Sequence, residues 1–88
     1  MAILTERQKR QRQRLLGEGR RLGLRLRNFT AFARYARPLK EQGYTDDQII
    51  AKARKDQAAG IDWNNVGDIL ERILELLAKW LPIILAIF

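Results

Sequence analysis

The side chains that most often carry catalysis are missing from this sequence of 88 residues. It contains no His, Cys or Ser, which excludes the usual nucleophiles, His bases, disulfides and thiolate or imidazole metal sites. The carboxylates considered as acid–base candidates are Asp46, Asp47, Asp56, Asp62, Asp68, Glu71 and Glu75. Nothing in the sequence pairs them with a base, a metal site or a phosphate-binding loop. We therefore predict a protein that is not an enzyme and that uses no cofactor, metal or small-molecule substrate.

Arginine is the residue type that points to a binding chemistry. Residues 1–40 hold 12 Lys and Arg against two acidic residues, whereas residues 41–61 and 62–88 carry net charges of −1 and −2. Guanidinium groups match phosphate oxygens bidentately. The candidate residues for an anionic partner are Arg7, Arg10, Arg12, Arg14, Arg20, Arg21, Arg25, Arg27, Arg34 and Arg37.

The sequence indicates that the partner of these arginines is anionic but does not identify it. No zinc-finger, RNA-recognition or GXXG motif is present, so a nucleic acid would be bound through its backbone, non-specifically and in a salt-sensitive way. Anionic lipid head groups or the inner surface of a capsid offer the same chemistry. A solvated basic arm that aids solubility or lies along an acidic neighbour is the alternative.

The elements that would position these arginines are predicted to be short helices. Thr5 and Gln8 form a capping-box pattern, so a helix is expected from near Glu6. Residues 7–14 have no apolar face, and we expect them to be disordered alone and helical only against an anionic or protein surface. Residues 22–27 alternate strictly, which is typical of a strand, but a helix also fits, so residues 20–27 are left open between the two. A helix is favoured over 28–36, with Pro38 as its stop.

Three aromatic residues lie among the arginines of this half. Phe29, Phe32 and Tyr35 could stack on nucleic-acid bases, or they could pack as an apolar face on the C-terminal helix. The second interpretation is favoured.

The middle of the chain carries the clearest local signal. Thr45 and Gln48 form a second capping box, and Tyr44 and Ile49 form the matching hydrophobic staple. We predict a surface helix from residue 46 to about 58, ending at Gly60, that needs a neighbour because its apolar content is small.

The last third of the chain predicts an amphipathic helix that becomes wholly apolar. Apolar residues recur at 66, 70, 73, 77, 80, 84 and 87, which is helical spacing. Asp62, Asn64 and Asn65 are candidate caps, and Pro82 should kink or break the helix. The residues expected to contact a membrane or another hydrophobic surface are Ile73, Leu77, Trp80, Leu81, Ile83, Ile84, Leu85, Ile87 and Phe88.

Three roles compete for this C-terminal helix. The first role is a transmembrane span. The nine residues after Lys79 are uncharged, but as a helix they cover only about 13 Å, half of a bilayer. An interfacial anchor would place Lys79 and Trp80 at the head groups. A buried helix is the third role, yet few apolar residues elsewhere could cover it. We favour membrane contact over a protein interface in a larger assembly, and both over the core of a soluble monomer.

These predictions combine into an all-α protein without a compact independent core. Its expected parts are an Arg-rich, partly extended arm (1–40), a small capped surface helix (41–60) and an amphipathic-to-hydrophobic C-terminal helix (61–88). Residues 1–4 are too short for the apolar core of a secretory signal, so no cleaved signal peptide is expected.

The order of these parts resembles the minor membrane-associated virion proteins of icosahedral phages with an internal membrane. The resemblance implies a structural protein that bridges a lipid vesicle to the capsid shell or the packaged genome, membrane-associated within a larger assembly. A cationic, bacteriocin-like membrane-active peptide and an accessory subunit of a nucleoprotein complex are the alternatives.

Overall fold

The computed structural model describes residues 3–61 and 67–88, and every regular element in these ranges is a helix, without a β-strand. The α-helices are α1 (Glu6–Arg21), α2 (Leu26–Glu41), α3 (Asp46–Asp56) and α4 (Leu70–Ile87). Single 3₁₀ turns lie at Ala58–Gly60 and Gly67–Ile69. The all-α prediction is confirmed.

The starts of α1 and α3 carry reciprocal side-chain caps. In α1, Thr5 Oγ1 accepts from the Gln8 N–H at 3.1 Å and Gln8 Oε1 accepts from the Thr5 N–H at 2.9 Å. Thr45 and Gln48 repeat this arrangement at α3, with distances of 3.2 and 2.9 Å. Both predicted capping boxes are therefore present. They satisfy N–H groups that have no partner within the helix.

The connections after α1 and α2 are built alike. Gly23 and Gly43 have φ of +80° and +92°, a backbone region that glycine adopts without strain. After α1, the Leu24 N–H donates to the Gly19 carbonyl at 2.8 Å, and after α2 the Tyr44 N–H donates to the Leu39 carbonyl at 3.1 Å. This six-to-one hydrogen bond is typical of a Schellman ending. Helices α1 and α2 thus each end in a tight turn that leads directly into the following helix.

Helix α4 lies at the centre and packs against α1, α2 and α3. The radius of gyration is 12.5 Å, close to the value of about 12 Å for a compact chain of this length. The expectation that there is no compact core is therefore wrong. The core is a single cluster of buried residues: Leu15, Leu24, Phe29, Phe32, Ala33, Ala36, Leu39, Ile49, Ala53, Ala58, Ile61, Ile73, Leu74, Leu76, Leu77, Trp80, Leu81 and Ile84.

Several local expectations are corrected by this packing. The expected partly extended arm consists instead of two packed helices; residues 7–14 lie within α1, which packs on the protein through Leu15 and Gly19. Residues 20–27 are neither one strand nor one helix but the end of α1, a turn and the start of α2. The helix over 28–36 is longer than expected and includes Pro38, and α4 runs through Pro82 without a break. Both prolines are exposed.

Other expectations concern the boundaries of α3 and the start of α4. Helix α3 ends at Asp56, two residues before the predicted end, and a 3₁₀ turn up to Gly60 follows. The candidate caps Asp62, Asn64 and Asn65 lie outside the described residues.

Candidate anion-binding surface

The solvent-facing side of α1 is a continuous cationic surface. Nine residues of this helix are exposed, and they comprise six cations with Glu6, Gln13 and Gly17. We call this set the α1 cationic face; its cations are Arg7, Lys9, Arg10, Arg14, Arg20 and Arg21. From Arg7 to Arg21 it extends over about 21 Å, at 1.5 Å per residue. It contains no apolar side chain, because Leu15, Leu16 and Leu22 point toward the protein.

Most charges of the α1 cationic face are not neutralised by carboxylates. Within residues 3–61 and 67–88, no carboxylate lies within 4.0 Å of Arg7, Arg10, Arg20 or Arg21. Lys9 pairs with Glu6 at 3.7 Å and Arg14 Nε is 4.0 Å from Glu18 Oε1. Exposed pairs at such distances contribute little to stability. The face is therefore able to attract an anionic partner.

The other arginines predicted from the sequence to bind an anionic partner fall into two groups. Arg25, which precedes α2, and Arg27 and Arg34 within α2 are exposed. Arg12 and Arg37 are half-buried. The structure thus leaves eight of the ten arginines named from the sequence accessible to solvent and uses two in internal contacts.

The two half-buried arginines hold the end of α4. Arg37 Nη2 donates to the carbonyl oxygen of Leu85 at 2.9 Å and to the backbone oxygen of Phe88 at 3.0 Å. The Arg12 guanidinium lies 5.6 Å from the centre of the Phe88 ring, a cation–π distance. The last carbonyls of a helix lack partners within it and carry partial negative charge. Arg12 and Arg37 are therefore structural residues, although the sequence pattern grouped them with the anion-binding ones.

Eight of the nine apolar residues assigned to membrane contact, all except Ile87, lie in the core or pack against it. Ile73, Leu77, Trp80, Leu81 and Ile84 are buried, whereas Ile83, Leu85, Ile87 and Phe88 are half-buried. The Trp80 indole N–H donates to Glu18 Oε2 at 2.9 Å and so joins α4 to α1. Within the described ranges, none of the helices combines the length and the apolar character that crossing a bilayer requires.

The aromatic residues of α2 serve packing. Phe29 and Phe32 are fully buried, and Phe29 stacks on Phe88 with ring centres 5.7 Å apart. The interpretation that they pack on the C-terminal helix is confirmed for Phe29, and neither ring is available to a base. Tyr35 is half-buried and donates a hydrogen bond to Asp56 Oδ2 at 2.7 Å.

The Tyr35–Asp56 contact shifts the acidity of both groups in opposite directions. Desolvation, then the hydrogen bond and negative charge of Asp56, raise the pKa of Tyr35 well above its usual value. The hydrogen bond from Tyr35 lowers the pKa of Asp56, with Lys52 adding to the effect through an ion pair of 3.3 Å. Asp56 is thus a structural carboxylate that links α3 to α2.

Four members of the α1 cationic face were not among the predicted anion-binding residues: Glu6, Lys9, Gln13 and Gly17. A signal for them existed, since positions three and four apart share one side of a helix. It could be applied only if the helix starting at Glu6 continued through Gly17 and Gly19.

No family of proteins, curated protein or solved structure was found to match this chain.

Proposed function

We propose that this protein is a non-enzymatic binding subunit of a larger nucleoprotein assembly, and that it contacts the nucleic-acid backbone through the α1 cationic face. The observation that carries the proposal is the composition of that face: six cations and no apolar side chain. A virion, as the layout resemblance implies, is one assembly that would supply such a partner.

The composition of the face favours a phosphodiester backbone over other anionic partners. A helix that binds a lipid surface turns an apolar face toward the acyl chains, and α1 directs its leucines into the protein. The core of a protein interface is enriched in aromatic and apolar residues, which this face lacks. A nucleic acid presents closely spaced charges along a line, which matches a row of guanidinium groups about 21 Å long.

The test is salt-dependent binding of a short fluorescein-labelled DNA duplex, followed by fluorescence anisotropy. The plot of log affinity against log salt, from about 50 to 200 mM, should have a slope near −0.9 per phosphate neutralised. The triple variant Arg7→Gln, Arg10→Gln, Arg14→Gln should bind more weakly. The magnitude of its slope should be smaller by about one for each phosphate that the variant no longer neutralises.

The matched control removes the same charge from α3 through Lys52→Gln, Arg54→Gln and Lys55→Gln. This triple variant should retain most of the wild-type affinity, although Lys52 and Arg54 lose ion pairs with Asp56 and Glu71. Equal weakening by both triple variants would show that only net charge matters, and the proposal would then fail. Circular dichroism of each variant verifies that the fold is retained.

Membrane association is the second candidate, favoured by the uncharged segment from Trp80 to Phe88. Four of its residues, Ile83, Leu85, Ile87 and Phe88, are half-buried at the end of α4. The rest of the segment lies largely in the core, so insertion into a lipid layer would require this part of α4 to leave it. Flotation with lipid vesicles distinguishes the two candidates.

A further inference from the structure

Gly17 occupies a position where the fold does not require glycine. It lies in the interior of α1 and is exposed, and a Cβ atom built on it would meet nothing within 4 Å. Its backbone is helical, not left-handed, so conformation does not demand glycine either. Glycine is the least favourable residue for a helix interior apart from proline. Neither packing nor backbone geometry explains this residue.

The neighbours of Gly17 on the helix surface are all hydrogen-bond donors. Residues three and four positions away along a helix are adjacent on its surface. For Gly17 these are Gln13, Arg14, Arg20 and Arg21, and all four are exposed. The exposed residues adjacent to this patch of bare backbone thus carry three guanidinium groups and an amide.

We infer that this patch is the point where a phosphodiester group of the nucleic-acid backbone approaches α1 most closely. The inference rests on the proposed function and adds to it a seat for the phosphate. Without a Cβ atom, a phosphate can lie nearer to the helix, as glycine permits where backbone and ligand approach. At that distance Arg14, Arg20 and Arg21 can donate charge-assisted, bidentate hydrogen bonds to its oxygens.

The test fills the patch without changing the charge. Gly17→Gln adds a flexible polar side chain that favours a helix more than glycine does. We expect its affinity for the fluorescein-labelled duplex to fall by about 10- to 150-fold, the effect of losing a hydrogen bond to a charged group. Gly17→Ala should show a smaller loss. Ala51→Gln, at an exposed helical position of α3, is the matched control and should bind as the wild type does.

The outcomes separate this inference from the proposed function. Loss of affinity in Gly17→Gln, together with an unfolding temperature at or above that of the wild type, supports the phosphate seat. Unchanged affinity in Gly17→Gln, while the triple arginine variant of α1 binds weakly, overturns the seat and leaves the proposed function standing. Absence of duplex binding by the wild type overturns both. If Gly17→Gln bound anionic vesicles more weakly than the wild type but bound the duplex equally well, the patch would be assigned to lipid head groups and the inference overturned.

Discussion

Gly19 differs from Gly17 in that the packing of α1 against α2 depends on it. A Cβ atom at Gly19 would lie 2.5 Å from Cζ and 2.7 Å from Cε2 of Phe29. The Phe29 ring is fully buried and stacked on Phe88, so it cannot move aside freely. Two glycines of one helix, two residues apart, are therefore present for different reasons.

This difference predicts opposite effects of the same substitution. Gly19→Ala should lower the free energy of unfolding by about 1–3 kcal/mol, because overpacking a core forces neighbouring side chains or backbone to shift. Gly17→Ala should raise it by about 0.5–1 kcal/mol, because alanine favours the helix and meets no neighbour. Urea unfolding followed by circular dichroism measures both values. A stabilising effect of Gly19→Ala would show that the approach of α1 to α2 is looser than described.

The Tyr35–Asp56 hydrogen bond predicts a loss of stability at high pH. The pKa of Tyr35 is raised in the folded protein, so its contribution is fully present below the unfolded pKa of about 10 and is lost as pH rises from there toward the folded value. Tyr35→Phe should lack this part of the alkaline decline. The free energy of unfolding of both proteins, measured from about pH 9 upward, would contradict the prediction if the two curves stayed parallel.

The same contact acts in the opposite direction at low pH. The pKa of Asp56 is lowered in the folded protein, so its contribution is present above the usual aspartate pKa of about 4 and is lost as pH falls through the folded value. Asp56 is exposed, and solvent screening keeps this contribution small.

At the scale of the elements, Arg37 joins α2 to the end of α4. Its two hydrogen bonds satisfy backbone oxygens of Leu85 and Phe88 that would otherwise lack helix partners. Arg37→Gln should lower the free energy of unfolding by about 1.5–3 kcal/mol, the range for hydrogen bonds to charged groups. It should also speed amide hydrogen exchange in the last turn of α4. Arg34→Gln, an exposed position on the same helix, is the control and should change neither quantity.

Sequence patterns predicted helix starts better than they predicted the core. Capping boxes involve residues three positions apart, so Thr5–Gln8 and Thr45–Gln48 could be recognised without knowing the fold. The core depends on contacts between distant segments, and its size was underestimated because the apolar side of α2 includes the small residues Ala33 and Ala36. Small residues add little hydrophobicity to a pattern, yet when buried they allow neighbouring segments to pack closely against α2.

The candidate site follows the same division. Its charge and its arginines could be predicted from composition. That Arg12 faces inward while Lys9, Gln13 and Gly17 complete the exposed face depends on the length of α1 and on which of its sides packs against α4. The inward position of Arg37 depends instead on how α2 packs against the end of α4. A helix of low intrinsic stability acquires its full length and its packed side from its tertiary contacts.

At the scale of the whole molecule, the hydrophobic helix α4 supplies much of the core, although it was expected to contact a membrane. Removing residues 80–88 would take Trp80, Leu81 and Ile84 out of the core. We expect such a truncated chain to lose its cooperative thermal unfolding, because each large core side chain contributes on the order of 2–5 kcal/mol against a total of about 5–15. A truncation that retained a cooperative transition would contradict the central place of α4. Deletion is thus unsuitable for testing whether the segment is a membrane anchor.

Vesicle flotation of the full-length chain tests membrane association without deletion. If α4 stays in the core, the protein should not float with neutral phosphatidylcholine vesicles. It should float with phosphatidylglycerol vesicles at about 50 mM salt and be released at about 500 mM, where exposed charges are screened within a few ångströms. Arg37→Gln, which loosens the end of α4, should behave in the same way. Flotation on neutral vesicles at high salt, increased further by Arg37→Gln, would instead show that α4 leaves the core for lipid, and membrane association would replace nucleic-acid binding as the better-supported function.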